Sequence, residues 1–134
     1  MLAAGALALT RPLKAITAWI KPATTVQDTD QAFFKLADLE SDLKASGNRY
    51  LPFLNVEKLK SGLYTLPAGS EDRQRPHAED EVYYVIAGRA AFVAGNESTK
   101  VSAGDVLYVK AQVQHRFYDI EEDLKIIVFL SNMK

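Results

Sequence analysis

From Tyr50 to Leu130 the chain is cut by turn residues into short apolar runs, and no run has the length or period of an ordinary helix. Tyr50–Leu54 and Gly62–Leu66 are two candidate strands, the second closed by Pro67-Ala68-Gly69. Glu81–Ala87 is rich in Val, Ile and Tyr and ends at Gly88. Ala90–Ala94 follows, and then the hairpin signal Gly95-Asn96. Thr99–Val101 leads into the Ala103-Gly104-Asp105 turn. Val106–Val109, Val113–Tyr118 and Leu124–Leu130 complete the series. Short strands at this spacing predict an all-β, antiparallel sandwich or barrel.

Helical patterning is confined to what precedes this series. Ala32, Leu36, Leu39 and Leu43 repeat at i, i+4, i+7 and i+11, which predicts a helix over Asp30–Ala45. Asp30 is its expected N-cap and Gly47 its stop. Leu9, Leu13, Ile16 and Ile20 form a second such stripe, with Thr10 as cap and Pro12 in the first turn. Residues 1–27 therefore read as an extension, helical or poorly ordered. Residues 28–134 read as the barrel domain with its preceding helix. No linker divides the latter.

The chain is long enough to bury a core without a disulfide or metal staple. It has no cysteine, so any metal must sit on nitrogen and oxygen ligands. Absence of cysteine also suits the cytoplasm. Arg11, Lys14 and Lys21 occur in residues 1–27 with no acid, so the net charge of −1 for the whole chain leaves −4 for residues 28–134. That balance argues against a nucleic-acid surface. No apolar run is long enough to span a bilayer, and three cations are too few for firm membrane association.

The two histidines, His77 and His115, are the only ones in the chain. His77 opens the run His77-Ala78-Glu79-Asp80-Glu81 just ahead of the strongest strand. Strand side chains alternate between faces, and Glu81 shares parity with Tyr83 and Val85. His115 shares parity with Val113 and Phe117. An inward carboxylate is costly unless paired or bound to a metal. Two His and one carboxylate with open positions suit iron(II), manganese, nickel or zinc. Glu79 shares the parity of Glu81, and with Asp80 is expected to be a solvated loop residue. Tyr64, Tyr83, Tyr108 and Phe117 are candidates to line a cavity, or plain core.

These residues resemble the cupin family. Gly69, five residues, Arg75-Pro76-His77, three residues, Glu81, six residues and Gly88 follow the spacing of its first motif. Gly104, five residues, Lys110-Ala111-Gln112, two residues, His115, three residues and Asp119 follow the second. The resemblance implies a jelly-roll (double-stranded β-helix) barrel like the small single-domain bacterial cupins. It implies a divalent metal ion on His77, Glu81 and His115. Arg75 stands where the family has a further His, and arginine does not ligate metals. Its expected role is to grip a substrate carboxylate at the barrel mouth; the alternative is a surface pair with Glu71 or Asp72. Lys110 and Gln112 replace a Pro and a Gly, and Asp119 replaces an Asn. The Gln74 carbonyl oxygen is a candidate fourth ligand if Pro76 distorts the strand.

The resemblance further implies a small-molecule ligand or substrate, and a homodimer formed through sheet edges. Three functional readings stay open: a metal-dependent enzyme, first of all a dioxygenase; a non-catalytic binding module; and a barrel that has lost its metal.

Overall fold

The computed structural model describes residues 24–133. Six strands form one antiparallel sheet: β1 (Tyr50–Asn55), β2 (Leu59–Leu66), β3 (Glu81–Ala94), β4 (Glu97–Ser102), β5 (Val106–Val109) and β6 (His115–Ser131). Their order is β1-β2-β6-β3-β4, with β5 also beside β3. The sheet curls on itself around a core that includes Tyr83, Val85, Phe92, Phe117, Ile126 and Val128. This is the all-β barrel expected from the strand spacing.

Two pairs of expected strands are each a single element. Glu81–Ala87 and Ala90–Ala94 join as β3, and Val113–Tyr118 and Leu124–Leu130 largely join as β6. The β3–β6 register shifts between Val85 and Ala87, again before Arg89, and again before Ala91. Such bulges bend a strand without ending it. Gly88 sits at this bend with φ of 96°, and a Cβ there would collide with the Asp123 carbonyl. The glycine that reads as a strand terminator is therefore a corner. Beyond it the strands change neighbours. Glu81–Tyr84 pairs with β5, whereas Arg89–Ala94 pairs with β4.

Among the described residues one helix, α1 (Leu36–Ser46), packs outside the barrel. Leu39 and Leu43 bury against Leu51, Phe53 and Leu63. Its end is as expected: Gly47 adopts a left-handed conformation with φ of 70°. Its start is six residues later than Asp30. The Thr29 hydroxyl is engaged with the backbone of Gln31, and the Phe34 ring packs tilted against Phe53 with ring centroids 4.7 Å apart. Those contacts keep Gln31–Lys35 out of the helix, so local periodicity yields to tertiary docking. Ala32, on the expected helical stripe, is exposed.

Just ahead of this, Val26 forms a parallel bridge with Leu54 through hydrogen bonds of 2.9 Å to Phe53 O and from Asn55 N. The sheet thus recruits a residue from the segment read as an extension. The Leu9–Ile20 stripe lies outside the described residues. No helix among the described residues is long and apolar enough to cross a membrane.

Candidate metal centre

Glu81 is the first residue of β3 and His115 the first of β6. In the β3–β6 ladder His115 pairs with Ala94, at the far end of β3 from Glu81. A flat ladder would hold Glu81 and His115 roughly 40 Å apart, at about 3.3 Å per residue. Instead His115 Nε2 lies 3.0 Å from Glu81 Oε2. The bend at Gly88 curls the two strands until opposite ends of one ladder meet.

His77 arrives from the loop between β2 and β3, so strand parity does not govern it. Its carbonyl accepts a 2.7 Å hydrogen bond from Gln112 N. Gln112 supplies that donor from a left-handed conformation, φ 66°, at the position where the motif has glycine. His77 Nε2 lies 2.9 Å from Glu81 Oε2. One ligand atom from each of His77, Glu81 and His115 can be chosen so that all lie within 4.8 Å of one another. The three residues read from the sequence come together.

The protonation pattern is informative. His115 Nδ1 lies 2.8 Å from Val113 O, which can only accept, so Nδ1 carries the proton. In the neutral ring Nε2 then holds a lone pair aimed among buried groups. Glu81 Oε2 is near, but no hydrogen bond of good geometry forms, and the buried Nε2 is unsatisfied. A lone pair beside a carboxylate, both buried, calls for a cation between them. Burial pushes the His115 pKa down. Glu81, the Val113 carbonyl and the Asp72 charge outweigh burial and hold it above the usual histidine value. Either a proton or a metal answers that demand, and the donor set fits a divalent cation.

Side chains behind the three ligands complete the arrangement. His77 Nδ1 is also buried and unsatisfied, with Glu79 Oε2 3.3 Å away. Glu79 in turn is paired to Lys60, whose ammonium pulls its carboxyl below the usual range. A carboxylate behind a ligating histidine orients the ring and raises its basicity. Glu79 is thus half-buried and engaged, not a solvated loop residue. Asp80 is exposed, as expected, and accepts from Ala111 N at 2.8 Å.

A cavity of about 400 Å³ opens beside His77 and Glu81, between Tyr50, Tyr64, Gln74, Glu79, Val128 and Leu130. His115 lies behind that surface. Tyr50 reaches across the sheet over Gly62, where any Cβ would overlap its ring. Gln74 lines the cavity because its loop is not a strand. Its Oε1 accepts from Tyr83 OH at 2.7 Å and its Nε2 donates to Asp72 Oδ2 at 2.8 Å. The carbonyl considered as a fourth ligand is therefore held by Tyr83.

Asp72 is buried and also accepts from Tyr64 OH and Phe117 N, each at 2.9 Å. Burial and nearby carboxylates raise the Tyr64 and Tyr83 pKa values, so both stay phenolic. The sequence offers no signal for Asp72: its burial rests on donors from β2, its own loop and β6. Arg75 is exposed and is not among the residues that line the cavity. Neither Glu71 nor Asp72 is its ion-pair partner; Glu71 pairs with Arg73. Of the expected aromatics, Tyr64 lines the cavity, Tyr83 and Phe117 are core, and Tyr108 is 62% exposed.

A curled antiparallel sheet with two histidines and a glutamate gathered inside it defines a small jelly-roll barrel with a candidate metal centre. The chain belongs to the cupin domain family, whose model matches residues 62–130. An uncharacterised protein of Streptomyces coelicolor is 48% identical over 98 residues, spanning 73% of this chain and 93% of that protein. Among solved structures, a Bacillus halodurans protein aligns with a TM-score of 0.61 at 17% identity, over 81% of this chain and 88% of its own. KdgF from a Halomonas species aligns with a TM-score of 0.56 at 17% identity, over 63% and 78% respectively. At such identity the structural likeness speaks for the fold alone.

Proposed function

We propose that this chain is a metal-dependent enzyme acting on a small organic acid, with one divalent ion held by Nε2 of His77 and His115 and the carboxylate of Glu81. The observation that carries this reading is the buried His115 Nε2, left with its lone pair against Glu81 because Val113 fixes the proton on Nδ1. Iron, manganese, nickel and zinc all suit the donor set. Bound there, the ion would supply Lewis acidity or, as iron(II), dioxygen activation, and a dioxygenase is the reaction we favour.

The protein's own residues do the rest. Glu81 contributes one negative charge, and Glu79 steadies His77. Val128 and Leu130 give the cavity an apolar wall that disfavours water. Elemental analysis of purified protein should find near one equivalent of metal. Oxygen uptake by iron-loaded protein over a panel of small acids then tests the reaction. Tight ligand binding with no turnover would make the chain a binding module; substoichiometric metal unaffected by His115→Ala would overturn the centre itself.

A homodimer is supported by β5. Its outward Val106 and Tyr108 are exposed and uncharged, next to exposed Tyr84 and Phe129. Molar mass in solution tests this.

A further inference from the structure

Resting on the metal reading above, we infer that the cavity selects a small monocarboxylate with an apolar or aromatic body, and that Gln74 and Tyr50, not Arg75, orient it. Charge is the first argument. Among the described residues no lysine or arginine lines the cavity: Lys60 is tied to Glu79, and Arg75 is exposed outside the lining. Within its own ligand set a divalent ion meets one negative charge, that of Glu81, because the histidines are neutral ligands; the buried Asp72 carboxylate is held apart by Tyr64, Gln74 and Phe117. One carboxylate completes that ligand set. A second anionic group would lie in a half-enclosed site with no cation to meet it and with Glu79 on the wall, which is costly.

Hydrogen bonding is the second argument. Asp72 and Tyr83 fix which way the Gln74 amide faces. The carboxylate of Asp72 can only accept, so the NH₂ end faces it, and the carbonyl end receives the Tyr83 hydroxyl. An amide carries two N–H groups, and Asp72 takes one, so the second is a donor without a protein partner among the described residues. The Tyr50 hydroxyl likewise makes no hydrogen bond among the described residues. A phenol, with an ordinary pKa of about 10, is a donor at neutral pH. Two donors on the wall of the cavity that holds His77 and Glu81 suit the oxygens of a carboxylate. Val128, Leu130 and the Tyr64 ring face the remainder of the ligand.

Calorimetric titration of the full chain, loaded with zinc and checked by elemental analysis, tests this with three probes that share one ring: benzamide, benzoate and isophthalate. Benzoate should bind about tenfold more tightly than either of the others. Gln74→Leu and Tyr50→Phe should each weaken benzoate by about five- to tenfold at unchanged zinc content, and Arg75→Ala should leave it unchanged. Tyr50→Phe removes only a hydroxyl, so it keeps the test usable if Gln74→Leu disturbs the loop. Isophthalate binding as tightly as benzoate to zinc-loaded protein would overturn the inference and leave the metal centre standing. So would loss of benzoate binding in Arg75→Ala alone. Failure to load zinc would overturn the metal reading and this inference with it.

Discussion

Two clusters of acid and base sit on β3, one at its bend and one at its start. At the bend, Arg89 lies 3.2 Å from Glu122 and 3.5 Å from Glu121, beside a surface hollow of about 450 Å³. At the strand's start, Glu81 lies within 3.0 Å of both histidines beside a cavity of similar size. Distance and volume scarcely separate them. Burial does: the Arg89 pairs are more than half exposed, whereas the Glu81 and His115 side chains are 4% and 1% exposed. Water screens the first cluster and makes its members nearly independent. In the second, Glu81 and His115 have almost no solvent to fall back on, so their charges must be matched from within.

The largest expected effect is on the buried cluster. His115→Ala or Glu81→Ala should reduce bound metal below about a tenth of an equivalent, read by elemental analysis, because two donors cannot hold the ion. With intact ligands, removing metal by chelation should cost about 2–3 kcal/mol of stability at metal concentrations near a hundredfold above Kd, seen as a lowered Tm. Arg89→Ala should change neither quantity.

Titration sharpens the same contrast. The folded, metal-free protein holds the His115 proton more tightly than an unfolded chain does, since its pKa is raised. That contribution is full below the unfolded value of about 6.5 and is lost as pH rises through the folded value. Metal binding must displace this proton, so metal affinity should rise over the same interval. Thermal melts with and without metal should therefore diverge as pH is raised. Parallel curves would count against a shared site.

Smaller effects follow. Glu79→Gln should weaken metal binding by about 10- to 100-fold without abolishing it, as expected for a residue that orients a ligand. Gln112→Gly should stabilise the fold by about 1 kcal/mol in chemical denaturation, by relieving a left-handed glutamine while keeping the N–H that meets His77. Least of all, Arg89→Ala should shift stability by under about 0.5 kcal/mol, and added salt should erase even that.

The contrast also explains what could be read from the amino-acid order. The barrel was legible because turn residues punctuate strands wherever the chain lies. Glu81 and His115 were legible because alternation with Tyr83, Val85 and Phe117 puts them inside and the spacing of the motif singles out Glu81 from Glu79. Gly88 was misleading: a bend and a stop look alike until the partner strand, with Asp123 against the glycine, is known. Asp30 failed as a cap for the same reason, because Phe34 answers to Phe53 and not to its own helix. Asp72 and the engagement of Glu79 were hidden because a loop has no period, and Gln74, read as a candidate ligand, instead bridges Tyr83 and Asp72. Their roles depend on donors and cations contributed by β2, β3 and β6. Arg75 occupies a ligand position of the motif, yet its neighbour Gln74 reaches the cavity.

The meeting of Glu81 with His115 across a curled ladder has a kinetic consequence. Neither local hairpin brings them together, since β3 and β6 must pair along their length and then bend. That is a long-range closure of the kind that slows the folding of β proteins. Metal capture by all three side chains should therefore be among the last events of refolding. A chelation-sensitive dye that follows ion uptake after dilution from denaturant would time the closing of the barrel itself, with strand formation already over.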